Sequence, residues 1–338
     1  MVVAAIIMLS LVPVAGQTAD ISILPQTAWG APDLQGVWDF RSLTPFERPA
    51  ELDGQETLTD EDAATVIAEA NENWRRIQDG SVEMPTGSYN EAWYDATGVA
   101  EDRRTSLVVQ PSDGRIPHVT QAEADRQADI ARNRRGLLMH DVSYGGWLEE
   151  IGPGHLAVRC IVGFNSGPPM TPSAYNNNVQ LFQTENHIVL LNEMVHSARI
   201  IPLDGREHLD RRIRQQMGDS RGHWEDDTLV VESKNFLRGT GFLGGQTDLH
   251  LRLIERFTRV APETLLYEAT LDDTTVWSRP WTFELAMQRN DQPLYEYACH
   301  EGNYGLYNIL AGAREAEKAM ELAVSKWETQ LSESEGSK

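Results

Sequence analysis

Four polar clusters in the second half of this 338-residue chain hold the side chains best suited to moving protons or steadying an oxygen atom. The densest is Gly218-Asp219-Ser220-Arg221-Gly222-His223-Trp224-Glu225. Asp219 can pair with Arg221, and either Asp219 or Glu225 can hold the His223 imidazole in one tautomer. Ser220 completes the composition of a Ser-His-Asp triad, but strand neighbours point to opposite faces and a triad needs convergence. The segment Tyr295 to Tyr304 sets His300 beside Glu301 as a proton-transfer pair, with Tyr297 and Tyr304 as donors to a developing oxyanion. On a regular strand, Tyr295, Tyr297 and Cys299 would share one face. Asn192-Glu193-Met194-Val195-His196, followed by Arg199, offers His196 as a general base, with Asn192, Met194 and His196 on one strand face. In Tyr175-Asn176-Asn177-Asn178, the amides of Asn177 and Asn178 can orient a ligand carbonyl or hydroxyl. Each cluster also has a bland reading: a satisfied structural histidine, an Asx-rich turn, or the entry to a hairpin.

Several signatures are absent. There is no phosphate-cradling Gly-rich loop followed by Lys-Ser/Thr, no dinucleotide fingerprint, no His-Glu-x-x-His and no Gly-x-Ser-x-Gly elbow. No cofactor is therefore expected. His196, His223, His250 and His300 fall on separate strands without a diagnostic short spacing, so a metal centre is the minority reading. Gly241 to Gly245 bridges strands and reads as a flexible loop.

The elements that must position these groups follow from periodicity. Thr59 caps a helix with Asp60, Glu61 and Asp62 in its first turn, and Ala63, Val66, Ile67, Ala70, Trp74 and Ile77 at helical spacing. A polar helix is predicted over Gln121 to Arg135, and Arg104 to Val109 reads as a strand. From Val179 the period changes to two. Strands are predicted over Val179–Thr184, Ile188–Asn192, Ala198–Leu203, Thr228–Glu232, Leu251–Val260, Leu265–Leu271, Trp281–Met287 and Leu294–Cys299. Residues 29–56, rich in Pro, Gly and charge, read as an extended arm. A helix from Asn308 to Leu331 closes the chain, and residues 332–338 form a tail.

The net charge of −22 argues against nucleic acid and anionic membrane surfaces as partners. Val2 to Val14 is an uncharged apolar run followed by Ala15 and Gly16. That pattern is the apolar region and cleavage site of a secretory signal, too short for a membrane span. Export would permit Cys160 and Cys299 to pair across 139 residues, a bridge worth about 4 to 5 kcal/mol at the upper end; the alternative is two buried thiols.

Five stretches, Arg104–Pro117, Tyr175–Asn178, Ala198–Arg206, Gly218–Glu225 and Tyr295–Tyr304, resemble a large uncharacterised family of exported bacterial proteins. The resemblance spans roughly residues 33 to 315 and implies export and a common fold. It carries no activity. Gly36-Val37-Trp38, with the strand meander, also resembles the first strand of lipocalin-like barrels.

The expected fold is mainly β: an antiparallel meander closing into a lipocalin-like barrel or sandwich, with an N-terminal helical region and a C-terminal helix. A signal (1–20), an arm and helical region (21–150) and a β domain with its helix (151–331) would precede the tail. The expected function is an exported isomerase, cyclase, hydratase or lyase acting by general acid–base catalysis on a small, largely apolar or ring-shaped substrate. His223, His300 and His196 would move protons, with Asp219 and Glu301 tuning them. Asn177, Asn178, Arg221, Tyr297, Tyr304 and Trp224 would bind. The alternatives are a periplasmic small-ligand-binding protein and a hydrolase using Ser220 or water. No nucleic acid partner and no stable membrane insertion are expected after signal cleavage, and the oligomeric state is left open.

Overall fold

The computed structural model describes residues 24–81, 103–134, 159–237, 240–242, 245–247 and 250–335. The expected signal segment, the last residue of the helix expected over Gln121 to Arg135 and the boundary near residue 150 lie outside them.

The frame is a 10-stranded antiparallel sheet. Three long strands, β10 (Arg252–Ala261), β11 (Thr264–Asp272) and β12 (Trp281–Asn290), form its centre. Strict alternation sends Leu253 and Phe257, Leu265 and Tyr267, and Phe283 and Leu285 to one face, where all are buried. β12 continues to β1 (Gly36–Asp39), β3 (Asn178–Gln183), β4 (His187–Asn192) and β5 (Ala198–Pro202), while β10 continues to β7 (Thr228–Lys234) and β6 (Asp219–Glu225). A short β2 (Val108–Gln110) also joins β12. β8 (Thr240–Phe242) and β9 (Gly245–Thr247) pair separately. The hydrogen-bonded ladder does not close among the described residues, but its edges meet through side chains. A Cβ on Gly222 of β6 would lie 2.7 Å from Leu203 Cδ2 and 3.0 Å from Ile201 Cγ2, so these side chains lie against the glycine and would have to shift for any larger residue.

Residues 29–56 are more than the extended arm expected from their composition. β1 inserts between β3 and β12, and Trp38 is fully buried. The preceding residues are tied down by Gln183, whose side chain accepts from Leu34 N at 3.0 Å and donates to Pro32 O at 3.0 Å. Trp38 Nε1 donates to Leu34 O at 2.9 Å. Pro and Gly set the loops here, while one short apolar run supplies the strand.

Among the described residues, large side chains pack the inner face. Trp38, Phe257, Tyr267, Trp277, Trp281 and Phe283 pack there, with Met170 fully buried among them. Among these apolar groups sits an ion pair: Arg199 Nη1 and Nη2 donate to Glu255 Oε2 and Oε1 at 2.6 and 2.8 Å. Tyr267 Oη donates to Glu255 at 2.8 Å and accepts from Met170 N at 3.1 Å. Burial and the adjacent carboxylate push the Tyr267 hydroxyl well above its ordinary pKa, so it stays a donor.

Helix α1 (Asp60–Gln78) starts where the capping pattern places it, with Thr59 Oγ1 accepting from Asp62 N. α2 (Gln121–Arg134) and the C-terminal α3 (Tyr304–Glu335) are also present; α3 starts four residues early and continues through residues assigned to the tail. Three strand expectations need correction. The strand expected over Arg104 to Val109 is confined to β2, Val108–Gln110. Residues 294–299 are irregular, so Tyr295, Tyr297 and Cys299 share no strand face. β4 ends at Asn192, and Met194–His196 is a 3-10 turn with φ of +50° at Val195 and +42° at His196. Asn192, Met194 and His196 therefore do not line one face.

Candidate functional site

The outer face of β6, β7 and β10 carries an open groove of about 510 Å³, bounded on one side by the loop after β5. Strand alternation builds it. Ser220 and Gly222 point inward, so Asp219, Arg221, His223 and Glu225 point outward; Val230 and Glu232 do the same on β7, and Arg252, Ile254 and Arg256 on β10. The β6–β7 hairpin fixes the register, with Asp226 at φ +49° in its two-residue turn and Arg221 opposite Glu232.

Two histidines open on this groove, each beside carboxylates. His223 Nε2 lies 3.2 Å from Glu225 Oε1, whose other oxygen accepts from Arg256 Nη1 at 2.9 Å. The Arg256 hydrogen bond, then that of His223, lowers the Glu225 pKa, so this carboxylate is the ionised, orienting member of the pair. His208 bridges two acids, with Nδ1 3.0 Å from Asp219 Oδ2 and Nε2 3.1 Å from Glu232 Oε2. Asp219 is buried and also accepts from Leu209 N at 2.8 Å and Arg221 Nη1 at 2.6 Å. Arg221 Nε donates to Glu207 O at 3.0 Å, which ties the loop to the sheet. Burial alone would raise the Glu232 pKa, but hydrogen bonds from Lys234 and Arg252 outweigh it and hold the group at about 2. The lining contains four arginines, each paired with a carboxylate: Arg206 with Asp204, Arg221 with Asp219, Arg252 with Glu232 and Arg256 with Glu225.

The expected cluster Gly218–Glu225 thus divides by face. Arg221 and His223 line the groove, while Asp219 lies buried beside it and forms the expected pair with Arg221. Glu225 holds His223, whereas Asp219 holds His208. Ser220 lies on the core side, its Oγ 2.7 Å from Ser233 Oγ, so it does not meet His223. Trp224 is half-buried against the core.

The other candidates lie apart from this lining, around the disulfide. Cys160 and Cys299 are bonded. Tyr297 and Cys299 pack against Tyr175, Met194 and Val195. Asn177 is fully buried; its side chain accepts from Ser173 N at 2.7 Å and donates to Ser173 O at 2.8 Å. Asn178 Nδ2 donates to Glu193 Oε2 at 2.8 Å, and its Oδ1 accepts from Asn290 at 3.0 Å. These amides hold chain segments together. His196, His300, Glu301 and Tyr304 are exposed, and none lines the groove.

Sequence reasoning missed His208, Glu232, Arg252 and Arg256. Part of the signal was available: Glu232 and Lys234 on β7, and Arg252 and Arg256 on β10, fall on the outward side of alternating strands, and His208 follows the Asp204-Gly205 turn. Among the described residues no three His, Cys, Asp or Glu side chains form a metal-holding group, and no helix is long and apolar enough to cross a membrane. Fold and site together define a mainly β protein with a charged groove on its outer sheet face. The chain matches no family model, no curated protein and no solved structure.

Proposed function

We propose that the groove on β6, β7 and β10 is the functional site of an exported enzyme that uses general acid–base catalysis on a small anionic organic molecule, a carboxylate in the first instance. The observation that carries this reading is the His223–Glu225 pair, opening into the same groove as four arginines. A carboxylate that orients an imidazole leaves the second ring nitrogen for proton transfer, and arginine offers the planar fork that a substrate carboxylate fits. The charged lining favours such a ligand over the apolar one expected from aromatic content. The Cys160–Cys299 bond supports an oxidising compartment, and with the apolar run at Val2–Val14 it supports export. Proton-moving reactions of the isomerase, lyase or hydratase type need only these groups.

The test is turnover by His223→Ala and Glu225→Gln once a screen of small carboxylates has found a substrate. Loss of about two orders of magnitude or more in kcat for His223→Ala is expected; full turnover would end the acid–base reading. A second reading, a periplasmic binding protein for the same ligands, draws on the 58% exposure of the His223 side chain, open for a catalytic base. Carboxylate binding that His223→Ala leaves intact, with no turnover of any bound compound, would select it.

A further inference from the structure

We propose that His208 is a proton-operated latch: as imidazolium it fastens residues 203–218 to the outer sheet face, and loss of a ring proton releases that wall of the groove. The two groove histidines differ in how many acids they meet. His223 has one carboxylate, that of Glu225, which a neutral ring satisfies with a single N–H. His208 has an acid at each nitrogen, Asp219 Oδ2 at 3.0 Å from Nδ1 and Glu232 Oε2 at 3.1 Å from Nε2. An ionised carboxylate accepts and cannot donate, so only the doubly protonated ring makes both hydrogen bonds. The surroundings keep both acids as acceptors. Asp219 Oδ2 also accepts from Leu209 N at 2.8 Å, and Oδ1 accepts from Arg221 Nη1 at 2.6 Å. Glu232 lies 2.8 Å from Lys234 Nζ and accepts from Arg252 as well. With a pKa of about 2, it is ionised throughout the range in which an imidazole titrates.

Residues 203–214 form no helix or strand, so side chains tie them to the sheet. Gly205, Arg206 and Glu207 of this stretch line the groove directly. Beside the imidazole, the ties are Arg221 Nε to Glu207 O at 3.0 Å, Leu209 N to Asp219 Oδ2, and Asn235 Nδ2 to Leu209 O at 2.9 Å. Of these groups, His208 alone bonds to β6 and β7 at once. A neutral ring turns one lone pair toward a carboxylate, and a charge-assisted bond becomes a repulsion. The charged groups around the ring are Asp219 and Arg221 from β6, Glu232 and Lys234 from β7, Arg252 from β10, and Arg206 and Glu207 on its own loop. The pair of bonds is therefore complete at lower pH and broken as pH rises. That is the reverse of the Glu232 carboxylate, whose contribution is lost as pH falls.

Two measurements on the full disulfide-bonded chain test this, and neither needs a substrate, so each is independent of the acid–base reading. In nitrogen NMR at about pH 6, both His208 ring nitrogens should carry a proton. One should lose it as pH rises, with the Leu209 amide moving in the same titration. Limited trypsin cleavage at the exposed Arg211 and Arg212, normalised to an unstructured peptide, reports the loop. At about pH 6, His208→Gln should be cleaved about tenfold faster than the wild type or more, because a hydrogen bond between charged groups is lost. At about pH 9 the two should be cleaved alike, since the wild-type latch is then open. Glu232→Gln, which leaves Asp219 in place, should raise cleavage at the lower pH by a smaller factor. Thermal unfolding checks that each variant keeps its sheet, and if His208→Gln does not, the wild-type ring titration decides alone. A His208 ring with one proton at the lower pH, equal cleavage of wild type and His208→Gln there, or a wild-type advantage undiminished at the higher pH would overturn the proposal.

Discussion

The groove on β6, β7 and β10 and the disulfide-stapled end around Tyr175, Met194 and Val195 are built in opposite ways. The groove rests on regular strands, and its charged groups arrive through alternation and register alone. At the other end, Cys160, Asn176, Val195 and His196 all have positive φ, and a covalent bond and buried amides hold them. A β-branched residue at φ +50° is an outlier that the surrounding structure must enforce. Regular backbone presents chemistry outward here, while irregular backbone spends its polar side chains on holding itself together. Tests of this contrast should therefore move stability at one end and ligand response at the other.

The largest effect is expected from removing the staple. Cys160→Ser with Cys299→Ser should lower stability by about 2 to 5 kcal/mol in denaturant unfolding, because the bond closes a long loop. Ligand binding at the groove should persist at temperatures where the variant is folded. Next is Gly222→Ala at the junction of β5 and β6. Its Cβ would strike Leu203 and Ile201, an overpacking cost of about 1 to 3 kcal/mol by thermal unfolding. The smallest effect is expected at Glu232. Its folded pKa of about 2 lies below its ordinary value of 4.5. Its contribution is therefore fully present above pH 4.5 and is lost as pH falls toward 2. Glu232→Gln should flatten the acid limb of stability in that window, by under about 1 kcal/mol because solvent screens this partly exposed carboxylate.

The same contrast explains what could be read from the sequence. The β10–β11 and β6–β7 hairpins and the Thr59 cap follow from alternation, turn residues and capping, and the Cys160–Cys299 bond is one of the two states the sequence left open. The Gly218–Glu225 cluster was legible as a candidate site, yet its division into Ser220 inside and His223 outside needed the strand's orientation. His208 and Arg252 were not legible as site members, because sheet order brings β10 and the loop after β5 to β6 from distant sequence. The turn at Met194–His196 escaped notice because Val195 has strong strand propensity, which tertiary packing against Tyr175 overrides.

The most direct test of the groove as functional site uses the histidine ring resonances in proton NMR, assigned through His→Gln variants, while a dicarboxylate such as succinate is titrated in. The expected result is that His223 and His208 shift saturably while His196 and His300 stay in place. Saturable shifts of His196 or His300, with His223 and His208 unmoved, would contradict the account and move the site to the disulfide-stapled end.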